Sequence, residues 1–461
     1  MNLILKDSQY IKPIEHSDNK NLIYFCTAIN KLKEDTKKKK IDFFSLGGVQ
    51  KELDEELIWY EVNSIKNFSR TRIIDKISFF TSHYIGFYST KIHNQEVNIK
   101  IEPRFGDGVF NYLISYAYGI YLPKGTSSSS KEKSNSLWLI ALMWKATLNR
   151  AITKSQIPKE YQKEQKNLNT FKGQLNISKH IQNNLFDKSK FYCNYRKLTM
   201  DTTINQTIRY TYQLLEKKGF GGLLKDIAEY DLMLQSFGVK KRGVTLSEIQ
   251  NIRYSKLNIY YKKVMELSKL IIKSQSKSSD ITSNSNDSFS YFIDIAQLWE
   301  DYLLKVLQRN LSQYEIYSPN DRGGISLFDD SSREIRPDII IKQNGKVVAI
   351  LDAKYKWYNQ IGKTSKDFNS VSREDLYQMS TYMYRYAQDS KKCVGFFISP
   401  MVQSKANLKT LSHNPNHQMG VLNLNLQQFN TDEENKVDFS FEQIRKEENK
   451  FIEQIKEILG S

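Results

Sequence analysis

Cysteine is scarce in this chain: Cys26, Cys193 and Cys393 are the three in 461 residues, each isolated in an apolar or aromatic neighbourhood. A disulfide framework or a thiolate zinc site is therefore excluded as an organising device. Histidine is nearly as sparse, at six residues; His413 and His417 have ligand-like spacing, but Pro415 between them opposes a helical pair, so both are expected in loops. No apolar run approaches the roughly eighteen residues that span a bilayer, and Met1-Asn2-Leu3-Ile4-Leu5-Lys6-Asp7 lacks a signal-peptide pattern. A cytoplasmic protein without membrane association is expected. Gly47-Gly48 lacks the Lys and Ser/Thr of a phosphate loop, so the chain is not expected to bind nucleotide itself.

What is abundant is positive charge. Lys and Arg total 68 against 51 Asp and Glu, a net charge of +17, which favours a polyanionic partner, nucleic acid first. The length allows two or three domains. Residues 1–122 read as strand-rich: Val97, Ile99 and Ile101 alternate with Asn98, Lys100 and Glu102, and a hairpin break falls at Lys91 to Gln95. Leu22 to Lys33 and Val109 to Tyr121 have helical spacing, and Lys37 to Lys40 is a basic run of the kind found in a solvated turn. Residues 123–273 form a middle region of helical composition, opened by a Ser-rich connection over 123–135 and including Leu137 to Ile152, Ile204 to Glu216 and one long helix from Leu246 to Ile272. Within it, aromatic and basic residues between Phe171 and Lys197 could contact a phosphate backbone, although core packing for the aromatics is the simpler account. Residues 274–288, rich in Ser, Asn and Asp, read as a linker or mobile loop, and 289–461 as a C-terminal domain. Its closing elements are a strand Val394 to Ile398, a run Val421 to Leu426 and a terminal helix Phe441 to Leu459.

The chemistry concentrates between Arg336 and Trp357. Asp338 opens an apolar run, Ile339-Ile340-Ile341; Gln343-Asn344-Gly345 has turn chemistry; a second run, Val347 to Leu351, delivers Asp352, Ala353 and Lys354. Register decides whether the acidic residues meet. A two-residue Asn344-Gly345 loop would pair Asp338 with Leu351 and send it to the wrong face. A three-residue loop with Gly345 in a G1 bulge would set Asp338 opposite Ile350 and diagonal to Asp352, and that arrangement is expected. Two carboxylates and a lysine on one strand face suit phosphodiester hydrolysis, because carboxylates hold Mg²⁺ and the metal polarises the phosphoryl oxygen and acidifies a bound water.

Flanking residues extend the constellation. In a helix expected over Ile293 to Asn310, Glu300 shares the side of Leu303, Leu304 and Leu307. Ser372-Arg373-Glu374-Asp375 is a capping-box pattern opening another helix, on which Gln378 and Tyr382 stand one turn apart. An insertion, Asn359 to Val371, carrying Lys363 and Lys366, separates the strand ending at Lys354 from this helix and could flank a nucleic acid, an ordinary exposed loop being the equal alternative.

The order Glu300, Asp338, Asp352-x-Lys354, Gln378-x-x-x-Tyr382 resembles the PD-(D/E)xK nuclease superfamily, in its branch with a Gln-x-x-x-Tyr motif. Leu298-Trp299-Glu300-Asp301-Tyr302, Arg336-Pro337-Asp338, Leu351-Asp352-Ala353-Lys354-Tyr355 and Asp375-Leu376-Tyr377-Gln378-Met379 are similar to the McrC family, the nuclease subunits of modified-cytosine restriction systems. Phe171-Lys172-Gly173-Gln174-Leu175, Phe191-Tyr192-Cys193, Asn205 and, more loosely, Ile99 to Ala117 extend the likeness over about Phe43 to Pro400. The resemblance implies an α+β chain with a β-rich N-terminal domain, a helical middle and a mixed sheet flanked by helices. It implies catalytic roles for Asp338, Asp352, Lys354, Glu300, Gln378 and Tyr382. Mg²⁺, with Mn²⁺ as an alternative, would be held by Asp338, Asp352, the Ala353 carbonyl and, through water, Glu300. The implied partners are double-stranded DNA and an McrB-like AAA+ GTPase, a hexameric ring that senses modified cytosine and is stimulated through the N-terminal domain. A non-cutting activator of that ring and a stand-alone nuclease are the alternatives.

Overall fold

Alternation of buried Val97, Ile99 and Ile101 with partly exposed neighbours builds the strand Gln95–Glu102 in the computed structural model. The structure describes residues 1–8, 10–15, 19–38, 41–44, 56–68, 71–118, 134–279, 290–356, 358, 361–362, 370–401, 407–412, 414–429 and 440–460. The preceding strand, Tyr84–Ile92, reverses through His93 and Asn94, whose φ angles of 46° and 64° place both in the left-handed region that a two-residue hairpin turn requires. Around this hairpin the strand order is Asn2–Lys6, Gln95–Glu102, Tyr84–Ile92, Tyr291–Asp294, Asp42–Phe44. A second sheet sets Thr71–Thr81 between Tyr10–Glu15 and Ile58–Phe68. The helix Asn19–Lys37 buries Leu22, Ala28, Ile29 and Leu32 in the same core as Ile77, Phe79, Val97 and Phe292.

The membership of Tyr291–Asp294 changes the domain layout. This strand pairs antiparallel with Tyr84–Ile92 and parallel with Asp42–Phe44, so a segment past the expected linker completes the N-terminal sheet. The chain accordingly divides into one compact unit of Met1–Leu122 with Asn286–Ser461, and another of Pro123–Ser285. This differs from an N-terminal domain separate from residues 289–461. Local periodicity shows that a strand exists but not which distant strand it joins. Two buried polar contacts add to the union: Arg104, stacked 4.0 Å from the Tyr355 ring centroid, donates to the Tyr355 carbonyl at 3.1 Å, and Tyr112 and Tyr302 donate to Glu448 at 2.8 and 2.6 Å.

The remaining large sheet of this unit has the order Glu315–Tyr317, Ile339–Gln343, Lys346–Ala353, Cys393–Ser399, Asn414–Asn423, Asn407–Leu411 among the described residues. It is mixed: Lys346–Ala353, Cys393–Ser399 and Asn414–Asn423 run parallel, and the outer pairs are antiparallel. One face, with Ile340, Val347, Ile350 and Phe397, packs on Met379, Tyr382 and Met383 of the helix Arg373–Tyr386. Gly395 makes that approach possible, since a Cβ there would lie 2.8 Å from the Met379 sulfur. The alternate residues Ile339, Ala349, Leu351 and Ile398 point to the other face and are also buried. There the helix Ile295–Asn310 lies close enough for the Trp299 indole to donate to the Ile398 carbonyl at 3.4 Å. The terminal helix Phe441–Leu459 starts at a capping box between Ser440 and Gln443, stops at left-handed Gly460 and buries Ile444, Phe451, Ile452 and Ile455.

The second unit contains the helices Ser134–Lys154, Thr203–Leu215, Lys225–Ser236 and Lys262–Ser279, with the buried Trp144 indole donating to Ser268 at 2.8 Å. It is less helical than its composition suggests: Glu160–Leu168, Phe191–Thr199 and Gln174–Leu175 form an antiparallel sheet. The helix expected over Leu246 to Ile272 is two, Leu246–Gln250 and Lys262–Ser279. Between them Asn258 accepts from the Ser255 N–H at 2.6 Å, a side-chain bond that replaces helical ones. The second helix runs on to Ser279, into the expected linker; 280–289 lie outside the described residues, as do 119–133, 39–40, Gly47-Gly48, His413 and, within the insertion, Lys363 and Lys366. His417 is a buried strand residue opposite Cys393 and not in a loop. Among the described residues no helix is long and apolar enough to cross a membrane.

A fragment ending at Ser285 should therefore lose the sheet of residues 1–102 while keeping the unit 123–285. Limited proteolysis with mass spectrometry should show rapid cleavage within 1–118 and protection of 134–279; equal protection of both would contradict the shared sheet.

Candidate active site

The hairpin reaches its register by a route other than the expected one. Gln343 pairs with Lys346, leaving a two-residue turn in which Asn344 and Gly345 have φ of 51° and 79°. The extra residue sits in the second strand: Lys342 faces Val347 and Ile341 faces Ala349, so Val348 is a bulge. The three-residue loop with a G1 bulge is thus corrected. Turn chemistry favours Asn-Gly as a two-residue loop, and half-buried Val348 takes up the slip. Beyond the pair Ile339 and Leu351, the ladder carries Asp338 level with Asp352, not diagonal to it. Both lie on the face toward the helix Arg373–Tyr386, where Lys354, two residues on, joins them.

Hydrogen bonds bind these groups into one cluster. The Ala353 N–H donates to Asp338 Oδ2 at 2.7 Å. Lys354 Nζ stands 2.8 Å from Asp352 Oδ2, 3.0 Å from Asp375 Oδ1 and 3.2 Å from Gln378 Oε1. Gln378 Nε2 in turn meets the Tyr382 hydroxyl at 2.7 Å. Glu300 comes from the helix Ile295–Asn310, which is capped by Asp294; its carboxylate accepts from Gln297 at 3.0 Å and its charge reaches Asp338. The six expected catalytic residues are therefore gathered in one region.

Charge in the cluster is unbalanced. Burial, then the charges of Glu300 and Asp352, push the Asp338 carboxyl well above the usual carboxylate range, with a hydrogen bond to Asp352 adding to the rise. Burial opposes the Lys354 ammonium, but Asp352 and then Asp375 outweigh it and its pKa is raised. Burial and the Asp352 and Asp338 charges also raise Tyr382. Among the described residues no group of three or more His, Cys, Asp or Glu is arranged to hold a metal ion. The donor set is instead a carboxylate pair, and Asp352 Oδ2, sealed from solvent, accepts no well-directed hydrogen bond. Two adjoining carboxylates, Asp352 buried and Asp338 half-buried, form a donor pair suited to a hard divalent cation that keeps several waters.

In the sequence Asp375 reads as part of a helix cap, and nothing there singles out Tyr358. Both are buried, and Asp375 accepts from Tyr358 and, at 2.7 Å, from Ser372. Burial would raise the Asp375 carboxyl, but these hydroxyls and the Lys354 charge bring it below its ordinary value, while burial and Asp375 push the Tyr358 phenol up to about 12. The sequence signals for Asp375 are its place one helical turn before Gln378 and within the run Asp375-Leu376-Tyr377-Gln378-Met379.

With this geometry in place, comparison with known proteins is specific. The family model described as McrBC 5-methylcytosine restriction system component matches residues 80–397. The chain belongs to this family. No curated protein matches it by sequence. Among solved structures, it is similar to a chain of the refined half-complex from the tetradecameric assembly of Thermococcus gammatolerans McrB AAA+ hexamers with bound McrC, at 16% identity and a TM-score of 0.52, covering 99% of this chain and 100% of that one. The cryo-EM structure of the Thermococcus gammatolerans McrBC complex matches at 18% identity, covering 68% of this chain and 89% of that one, with a TM-score of 0.34. The first likeness shows a shared fold.

A carboxyl with a raised folded-state pKa contributes stability below its unfolded pKa of about 3.9, and that contribution is lost as pH rises through the folded value. Without divalent cations, Asp338→Asn should therefore raise the melting temperature by a few degrees at pH 8 and leave it unchanged near pH 3. Scanning calorimetry across that range checks the sign; a variant less stable than wild type at pH 8 would contradict the charge imbalance.

Proposed function

We propose that this McrBC component is a Mg²⁺-dependent DNA endonuclease subunit with a PD-(D/E)xK site, cutting DNA when assembled with an McrB-like AAA+ GTPase. The observation that carries the reading is the placement of Asp338, Asp352 and Lys354 on one strand face, brought level by the Val348 bulge. The family match supports a restriction context, and the similarity to a structure of McrB AAA+ hexamers with bound McrC supports the ring partner. The net charge of +17 suits DNA.

In this reading Asp338 and Asp352 would hold Mg²⁺, with the Ala353 carbonyl and, through water, Glu300 contributing; Mn²⁺ would serve in the same place. The bound ion supplies Lewis acidity at the phosphoryl oxygen and a more acidic water. Lys354 remains an ammonium, because Asp352 and Asp375 keep its proton on, and so offsets negative charge on the phosphate without acting as a base. Gln378 orients that ammonium through its carbonyl, and Tyr382 fixes the Gln378 amide from the other side. Modified cytosine would be sensed by the partner.

Asp352→Asn should lower Mg²⁺-dependent cleavage roughly 10²- to 10³-fold, as loss of a charge-stabilising group does in hydrolytic sites, while leaving stimulation of partner GTP hydrolysis intact. Cleavage and GTPase assays on the same preparation check this. Undiminished cutting would remove the assignment, and cutting absent in wild type with stimulation preserved would make the chain an activator only.

A further inference from the structure

The Lys354 ammonium lies at ion-pair distance from two carboxylates, Asp352 at 2.8 Å and Asp375 at 3.0 Å, and donates to Gln378 Oε1 at 3.2 Å. Asp375 differs from the other two in how firmly it is held. It is buried at the third position of the helix Arg373–Tyr386, its own N–H donates to the Ser372 cap at 3.2 Å, and its Oδ2 takes the Ser372 and Tyr358 hydroxyls, which leaves Oδ1 aimed at Lys354. Gln378 is exposed and neutral. Asp352 must divide its charge between Lys354 and any cation shared with Asp338. Helix capping does not explain a carboxylate at this position, because the Ser372 hydroxyl already satisfies the backbone N–H and Asp375 does not return a bond to the cap backbone.

The geometry points to Asp375 as a positioning residue that holds the Lys354 ammonium in place when Asp352 is engaged elsewhere. This rests on the reading of the site as a nuclease centre. Tyr358 and Ser372 act through Asp375: they fix the carboxylate, which fixes the lysine, and Asp375 itself touches neither metal nor DNA. The consequence is a division of labour between two aspartates, Asp352 for the cation and Asp375 for the ammonium.

The test uses the full-length chain with an McrB-type partner, GTP, Mg²⁺ and DNA carrying methylated cytosine. Asp375→Asn should cut roughly 10- to 100-fold more slowly, the usual cost of losing an outer orienting group, and Asp375→Glu should restore most of the rate. In a Lys354→Met background Asp375→Asn should have no further effect, since groups acting through one partner are not additive. Mg²⁺ affinity measured by calorimetry on the chain alone should be unchanged. Independently of cutting, the Lys354 amine should react faster with an acetylating reagent in Asp375→Asn than in wild type, read by mass spectrometry. Full cutting by Asp375→Asn, a loss that multiplies with Lys354→Met, Mg²⁺ affinity weakened by about tenfold or more, or unchanged amine labelling would each overturn the inference. If Asp375→Asn does not fold, Tyr358→Phe replaces it: faster labelling of Lys354 supports the clamp, unchanged labelling overturns it. If wild type leaves DNA uncut yet the labelling difference appears, the clamp stands and the nuclease reading fails.

Discussion

The pairing of Ile339–Gln343 with Lys346–Ala353, shifted by one residue at Val348, is the constraint on which the site depends. Side chains alternate across a strand, so without the bulge Asp338 would face the helix Ile295–Asn310 while Asp352 and Lys354 faced the helix Arg373–Tyr386. The turn cannot make this correction. Asn344 and Gly345 already adopt the two left-handed conformations of a tight hairpin, and a third loop residue would break the pair Gln343 and Lys346. A bulge inside the strand slips the register and leaves the turn intact.

Once Asp338 and Asp352 are level, the rest of the cluster follows from charge. Two adjoining carboxylates repel, and the surrounding groups answer that repulsion: the Ala353 N–H on Asp338 and the ammonium of Lys354 beside Asp352. Asp375 adds a third carboxylate near the lysine, held by the Tyr358 and Ser372 hydroxyls and paired with the Lys354 ammonium. The helix Arg373–Tyr386 thus contributes through three successive turns, with Asp375, Gln378 and Tyr382 on one side.

The site is also tied to the N-terminal segments. Tyr355, the residue after Lys354, lies under the buried guanidinium of Arg104, and the backbone N–H of Arg104 donates to the Asp7 carboxylate at 2.6 Å. The strand Tyr291–Asp294 enters the N-terminal sheet and runs directly into the helix that carries Glu300.

The sequence by itself determined the local elements and the chemical groups. The terminal helix Phe441–Leu459, the hairpin at His93-Asn94 and the helix beginning at Ser372 are dictated by caps, turns and periodicity over a few residues, and the set Asp338, Asp352, Lys354, Gln378 and Tyr382 was legible as an ordered pattern. Only the tertiary structure decided the bulge at Val348, the entry of Tyr291–Asp294 into a sheet begun at Asn2, the strands within the middle unit and the pairing of Asp375 with Lys354. The reason is the range of the forces: propensity and hydrophobic spacing act along the chain, whereas register, partner strand and buried ion pairs are fixed by groups distant in sequence that must share one core.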